Sequence, residues 1–332
     1  MRKELVKILV TGGLGFIGSN FILRALKNPK IRITNIDACL PGSNPLNLKQ
    51  VKNNPRYRYV RGNITNKKLV DDLTSRSDAV INFAAESHVD RSISDPKPFI
   101  DSNIYGTYVL LEAIRKHKKK LVQISTDEVF GSLRSSSATE KYPYNPSSPY
   151  SASKAAAENL VNSYFVTYGC DVITTRCTNN YGPRQSPEKL IPKTILLAER
   201  NKKIPIYGAG KNIRDWIYVL DHCDAVLKIL LKGKTGESYN ISANNEIDNL
   251  KIVKKILKIM DKSEDLIEFI VDRPGHDFRY SLSSNKIRRN LSWKPVHNLE
   301  DGLKKTIEWY QQNREWTRHI SDNAFAISWK TR

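Results

Sequence analysis

The stretch VKILVTGGLGFIGSN, Val6 to Asn20, decides the fold. A short apolar run ends at Thr11, two glycines follow, and a helix-like segment opens at Phe16. Gly12, Gly15 and Gly18 stand at a Gly-x-x-Gly-x-x-Gly spacing. Glycines so placed permit a tight turn, let the backbone come close to a bound group, and let the helix pack closely on the strand. The new helix also offers unpaired N–H groups and the positive end of its dipole to an anion. Further β-branched runs lie at 31–37, 56–60, 78–85, 120–126 and 171–176, separated by helix-like segments such as NFILRALKN and NIYGTYVLLEAIRKHKKK. This alternation predicts a parallel sheet covered by helices on both faces, with ligands at the carboxyl ends of the strands.

The expected fold class is therefore α/β, a Rossmann-type doubly wound parallel sheet. Asp37 closes the second run, where an acid can bind the ribose hydroxyls of adenosine and repel a 2′-phosphate. The residues after it, Ala38, Cys39, Leu40 and Pro41, include no arginine, so NAD is expected rather than NADP. Asn63 and Ile64 follow the third run and are candidates for an adenine edge. Beyond about residue 178 the pattern changes to shorter elements interrupted by Pro, Gly and charge, as in NNYGPRQSPEKLIP and DRPGHDFRY. Residues 1–178 are expected to form the NAD-binding domain with the catalytic residues. Residues 179–332 are expected to form a smaller, mainly substrate-binding region, some of whose chain returns to the sheet. The last stretch, EWTRHISDNAFAISWKTR, carries no assignment.

The totals narrow the function classes. The chain has 332 residues, 39% hydrophobic and 27% charged, the composition of a soluble globular protein. No apolar run approaches the roughly 18 residues of a membrane span. The opening MRKELVKILVTGG is too short in its apolar part for a signal peptide, so a cytoplasmic protein with no membrane partner is expected. Four scattered cysteines with no C-x-x-C pair argue against a disulfide framework or a metal site. The net charge is +20, but the basic residues are dispersed and show no zinc-finger or basic-aromatic pattern. Nucleic acid is not an expected partner.

Two further stretches carry chemistry. SPYSASKAAAEN (148–159) puts Tyr150 and Lys154 four apart, on one face of a helix. A phenol of ordinary pKa, about 10, is a poor base at neutral pH. A nearby ammonium and a nicotinamide cation favour phenolate, so a lowered pKa is expected for Tyr150. It can then take a proton from a sugar hydroxyl while hydride leaves the same carbon. QISTDEVFGS (123–132) ends a buried run on two adjacent acids, Asp127 and Glu128. Side chains alternate across a strand, so adjacent acids on a continuing strand point to opposite faces.

The glycine spacing, Tyr150-x-x-x-Lys154 and the strand-end Thr126 resemble the extended short-chain dehydrogenase/reductases. Within them, AAESHVDRSI, STDEVFG, NNYGPRQSPEKLIP, GKNIRDWIYVLDH and DRPGHDFRY resemble the nucleoside-diphosphate-glucose 4,6-dehydratases, from about residue 6 to residue 310. The resemblance implies that Asp127 is the general acid, Glu128 the general base and Tyr150 the base for the sugar 4-hydroxyl. It implies that Lys154 supports Tyr150 and the nicotinamide ribose, and that Thr126 bonds the sugar near O4. For NAD it implies Gly12, Gly15, Phe16, Ile17, Gly18, Asp37, Asn63, Ile64, Phe83, Ala84, Ala85, Ser87, Ser102, Tyr150, Lys154 and Asn180. For substrate it implies Ser87, Thr126, Asn179, Glu188, Lys189, Leu190, Arg214, Asn249, Arg273 and His276, with the two arginines suited to a diphosphate and ribose.

The implied reaction turns a nucleotide-bound glucose into its 4-keto-6-deoxy form, as in deoxysugar and rhamnose synthesis. Asp127 must then be protonated at neutral pH, so its pKa is expected to be raised by burial and by its neighbour. One methyl separates thymine from uracil, worth only about 1–3 kcal/mol in a pocket; dTDP-glucose, UDP-glucose or both are the expected substrates. A homodimer joined through helices at about 97–118 and 150–168 is also implied. The sequence departs from the family at Asn63 (usually Asp), Ser186 (often Phe) and Phe278 (often Arg). The runner-up reading is a nucleotide-sugar 4-epimerase or decarboxylase on the same scaffold.

Overall fold

A computed structural model describes residues 6–318. The start of the chain and the unassigned tail beyond Arg318 lie outside the described residues. The apolar runs become β1 (Val6–Thr11), β2 (Ile31–Asp37), β3 (Tyr57–Arg61), β4 (Ala79–Asn82), β5 (Lys120–Thr126) and β6 (Val172–Cys177). Six further strands follow: β7 (Asn179–Tyr181), β8 (Ile204–Tyr207), β9 (Ile213–Tyr218), β10 (Ser238–Ile241), β11 (Glu246–Asp248) and β12 (Ile267–Ile270). β1–β6 and β10 form one parallel sheet in the order β10-β6-β5-β4-β1-β2-β3.

Apart from the edge strand β3, its strands are buried on both faces because their alternate side chains feed two cores. Ile8 and Val10 of β1 pack with Phe21, Ile22, Val226 and Ile229, whereas Leu9 packs on the other side with Leu110, Ile114 and Val172. The strand order reverses between β1 and β4, so the first two crossovers run one way from β1 and the later ones the other. A crevice opens there at the carboxyl ends. A buried polar ladder lies beneath it: Thr11 Oγ1 donates to Asn82 Oδ1 at 2.6 Å, and Asn82 Nδ2 donates to Gln123 Oε1 at 2.9 Å.

Two differences from the sequence expectation bear on the site. β4 ends at Asn82, not Ala85. Phe83 N still bonds the Thr11 carbonyl and Ala84 N the Thr11 hydroxyl, and this bends Phe83–Ala85 across the crevice. The helix expected over 97–118 is interrupted by a π turn, Ile100–Tyr105, before it resumes as Gly106–His117. Asn103 in that turn accepts from Glu86 N at 2.9 Å and donates to Ser153 Oγ at 2.8 Å.

The remaining strands and helices build a second core around Ile195, Trp216, Ile252, Ile256 and Tyr310. Chain from this half also returns to the sheet: β10 extends its edge, and helix Val219–Lys232 packs on helix Phe16–Ala25. No helix among the described residues is long and apolar enough to cross a membrane.

Candidate active site

The carboxyl ends of the strands open into a cavity of about 320 Å³. Every residue assigned to the cofactor by sequence lines it, as do Thr126, Asp127 and Glu128, and Ser87, Asn179, Glu188 and Lys189 of the substrate set. Leu190, Arg214, Asn249, Arg273 and His276 are not among its lining residues. Leu190 begins a helix, Arg214 lies on β9, Asn249 opens the helix after β11, and Arg273 and His276 lie in the segment after β12.

The glycine turn is shaped as a cradle. Gly12 has φ +67°, and a Cβ there would stand 2.6 Å from Ala84 N. A Cβ on Gly18 would stand 2.4 Å from the Gly12 carbonyl oxygen. The helix that follows has no side-chain N-cap and no acid in its first turn. Its end is therefore left to an anion. Asp37 is fixed by Leu14 N at 2.9 Å, Cys39 N at 2.8 Å and Ser43 Oγ at 2.9 Å. These features fit a dinucleotide whose pyrophosphate meets the helix end and whose ribose meets Asp37.

The two acids do not stay on a strand. β5 ends at Thr126, and Asp127–Phe130 form a 3₁₀ turn, with the Thr126 hydroxyl accepting from Glu128 N at 3.3 Å. The turn replaces two-residue alternation, so both acids face the cavity. Asp127 is 3% exposed; its Oδ1 accepts from Thr126 Oγ1 at 3.2 Å, and its Oδ2 has no partner among the described residues. Burial, then the Glu128 charge, holds its pKa well above the ordinary carboxyl value. Burial also raises Glu128, against the opposing pull of Arg273, Lys189 and Arg214. The two arginines therefore act on the site although they do not line the cavity.

Tyr150 and Lys154 come from helix Pro149–Tyr168, which starts with a capping box in which Ser148 and Ser151 bond each other's backbone. The expectation of a lowered Tyr150 pKa is corrected. Burial, Glu128 and Cys177 push the phenol well up, with a Thr126 hydrogen bond opposing. Lys154 turns elsewhere: its Nζ donates to the Ile124 carbonyl at 2.6 Å, and burial brings its pKa down to about 8. Asn180 bonds His222 Nδ1 at 2.9 Å, and burial keeps that histidine neutral with a pKa of about 3.

Residues 9–306 match the family described as GDP-mannose 4,6 dehydratase. A dTDP-glucose 4,6-dehydratase of Xanthomonas campestris pv. campestris (strain B100) is 43% identical, over 96% of this chain and 97% of that protein. The chain belongs to the sugar-nucleotide 4,6-dehydratase family. Solved dehydratases agree in three dimensions. The dTDP-glucose 4,6-dehydratase of Bacillus anthracis in complex with NAD has a TM-score of 0.89 at 44% identity, covering 94% of this chain and 98% of that one. DesIV, the dTDP-glucose 4,6-dehydratase of Streptomyces venezuelae, with NAD bound, has a TM-score of 0.92 at 40% identity, with the same coverage.

Seen as a dehydratase, the chain has site residues that sequence reasoning missed. Glu86, His88 and Arg91 line the cavity inside the quoted AAESHVDRSI. His88 Nε2 bonds Glu188 at 3.0 Å and Arg91 pairs with the same carboxylate, whose pKa falls to about 2. The segment was legible as a motif, but its partner near residue 188 was not. Of the departures from the dehydratase pattern, Asn63 turns to its own backbone and accepts from Thr65 N at 3.0 Å. Ser186 lines the cavity beside Glu188, and Phe278 is 54% exposed.

Proposed function

We propose that the chain is an NAD-dependent hydro-lyase that converts dTDP-glucose, UDP-glucose or both to the 4-keto-6-deoxy nucleotide sugar. The observation that carries this reading is the Asp127–Glu128 turn: a buried acid with one free oxygen beside a second carboxyl in the same cavity. Tyr150 takes the proton of the sugar 4-hydroxyl as C4 becomes a ketone. The ketone acidifies the C5 proton, which Glu128 removes. Asp127 gives its proton to the C6 hydroxyl, the C6–O bond breaks and water leaves. This is acid–base work divided between two carboxyls in different surroundings. Glu128 then returns a proton to C5; bound NAD would supply the hydride acceptor for C4 and the hydride donor for C6, so no net oxidant is consumed. Gly12, Gly15, Gly18, Asp37 and Ser102 would hold it. Burial and the charges of Glu128 and Cys177 raise Tyr150, so its activation as a base belongs to the loaded site.

Arg273 and Arg214 supply charge for the diphosphate, with Lys189 and Asn179 beside the sugar. In this reading residues up to 178 carry the cofactor and the chemistry, and later residues mainly read the nucleotide. A homodimer is part of the proposal, supported by helix Pro149–Tyr168. That helix leaves Ala152, Asn159, Ser163 and Val166 exposed along one face. A cytoplasmic location is supported by four free cysteines. An epimerase needs neither carboxyl for water loss, which favours the dehydratase.

The test is isotopic. Substrate deuterated at C4 is expected to give product labelled at C6. Label lost to solvent, or accumulating as free labelled NADH, overturns the mechanism. Parallel kinetics with dTDP-glucose, UDP-glucose and UDP-N-acetylglucosamine rank the bases and sugars.

A further inference from the structure

Asp90 belongs to none of the roles above. It sits in the short helix Val89–Ser94, is 6% exposed, and has both carboxyl oxygens committed. Oδ1 accepts from Arg273 Nη1 at 2.9 Å, and Oδ2 accepts from the Tyr207 hydroxyl at 2.9 Å. It thus joins three segments remote in sequence: the short helix after β4, the end of β8 and the loop after β12. The neighbouring His88 and Arg91 hold Glu188, and Lys189 Nζ donates to the Ser87 carbonyl at 3.1 Å. The segment therefore fastens two of the three pieces of chain that bring cations toward Glu128, those carrying Arg273 and Lys189.

Arg273 is held at one end only. Its side chain is 14% exposed, and its Nε is buried with no partner among the described residues. A buried ion pair is weak evidence for stability, because desolvating two charges offsets most of their attraction. Orientation of a planar, five-donor group is a better account of this one, since a guanidinium recognises phosphate oxygens through a fixed fork.

We propose that Asp90 is a positioning residue that holds Arg273 by one nitrogen, so that its other donors face the diphosphate of the bound nucleotide sugar. This rests on the dehydratase reading and on Arg273 serving the diphosphate. Asp90→Asn keeps the shape and an acceptor for Tyr207 but removes the charge that orients Arg273. With the full chain and NAD, KM for dTDP-glucose is expected to rise about tenfold or more, with kcat within about twofold. Calorimetric titration should show a similar loss of affinity for dTDP and none for thymidine, which lacks the diphosphate. Asp90→Glu should recover part of the loss. Unchanged KM and dTDP affinity with a lowered Tm would overturn the proposal, leaving a structural ion pair. So would equal losses for dTDP and thymidine. If the parent protein turns over no nucleotide sugar, the dehydratase reading fails, and the dTDP and thymidine titrations still decide the role of Asp90.

Discussion

At the scale of single residues, the site's character comes from where protons rest. Asp127→Asn is expected to leave C4 oxidation largely intact and to slow water loss by about 100-fold or more, the range of a general acid. Rapid-quench product analysis together with NADH absorbance separates the two steps, and equal loss of both would count against the assignment. The same substitution should stabilise the protein at higher pH. Because the folded pKa of Asp127 is raised, the folded state holds a proton that the unfolded chain has already released. Stability therefore falls as pH climbs above about 4, the ordinary carboxyl value, through the raised one. Asparagine has no such loss. Thermal unfolding should show a gain of roughly 2 °C or more at mildly alkaline pH, shrinking to nothing in acid. Asp127, Glu128, Tyr150 and Lys154 were all legible as chemistry-bearing types at telling spacings. The direction of the Tyr150 shift was not, because spacing along a helix reveals neither the burial of the phenol nor the Glu128 charge beside it, nor that Lys154 reaches back to the Ile124 carbonyl.

At the scale of elements, two local devices aim these side chains. The 3₁₀ turn after β5 swings both acids into the cavity, and the Ser148–Ser151 capping box fixes the start of the helix that carries Tyr150. Ser148→Ala should cost about 1 kcal/mol of stability, read from denaturant unfolding, and should lower kcat more than it raises KM because it loosens Tyr150, the proposed base. Six of the sheet's seven strands were readable from their β-branched runs, to within a residue at most ends, whereas β10 was not read as a strand. β4 was the exception: its apolar letters run on to Ala85, but the Thr11 hydroxyl captures Ala84 N and turns the chain. The π turn at Ile100–Tyr105 had no signature either. It depends on Asn103 finding Glu86 and Ser153, contacts that no local pattern contains.

At the scale of the whole molecule, the proposed dimer can be tested apart from the chemistry. Val166 is 71% exposed on helix Pro149–Tyr168. Val166→Glu is expected to shift the protein from dimer to monomer in light scattering. An unchanged mass would move the interface elsewhere. The +20 charge is spread over many elements.

The parallel pairing of β10 with β6 also has a history in time. On the ribosome, β6 is complete at Cys177 but its outer neighbour begins only at Ser238. At roughly 5–20 residues per second, that gap lasts several seconds. Throughout it the nascent sheet presents an unpaired strand edge, the kind of surface that recruits other chains. Truncations ending before Ser238 should accordingly be found in the insoluble fraction. The second half of the chain is thus needed first as a seal, and only afterwards for its proposed part in reading the nucleotide.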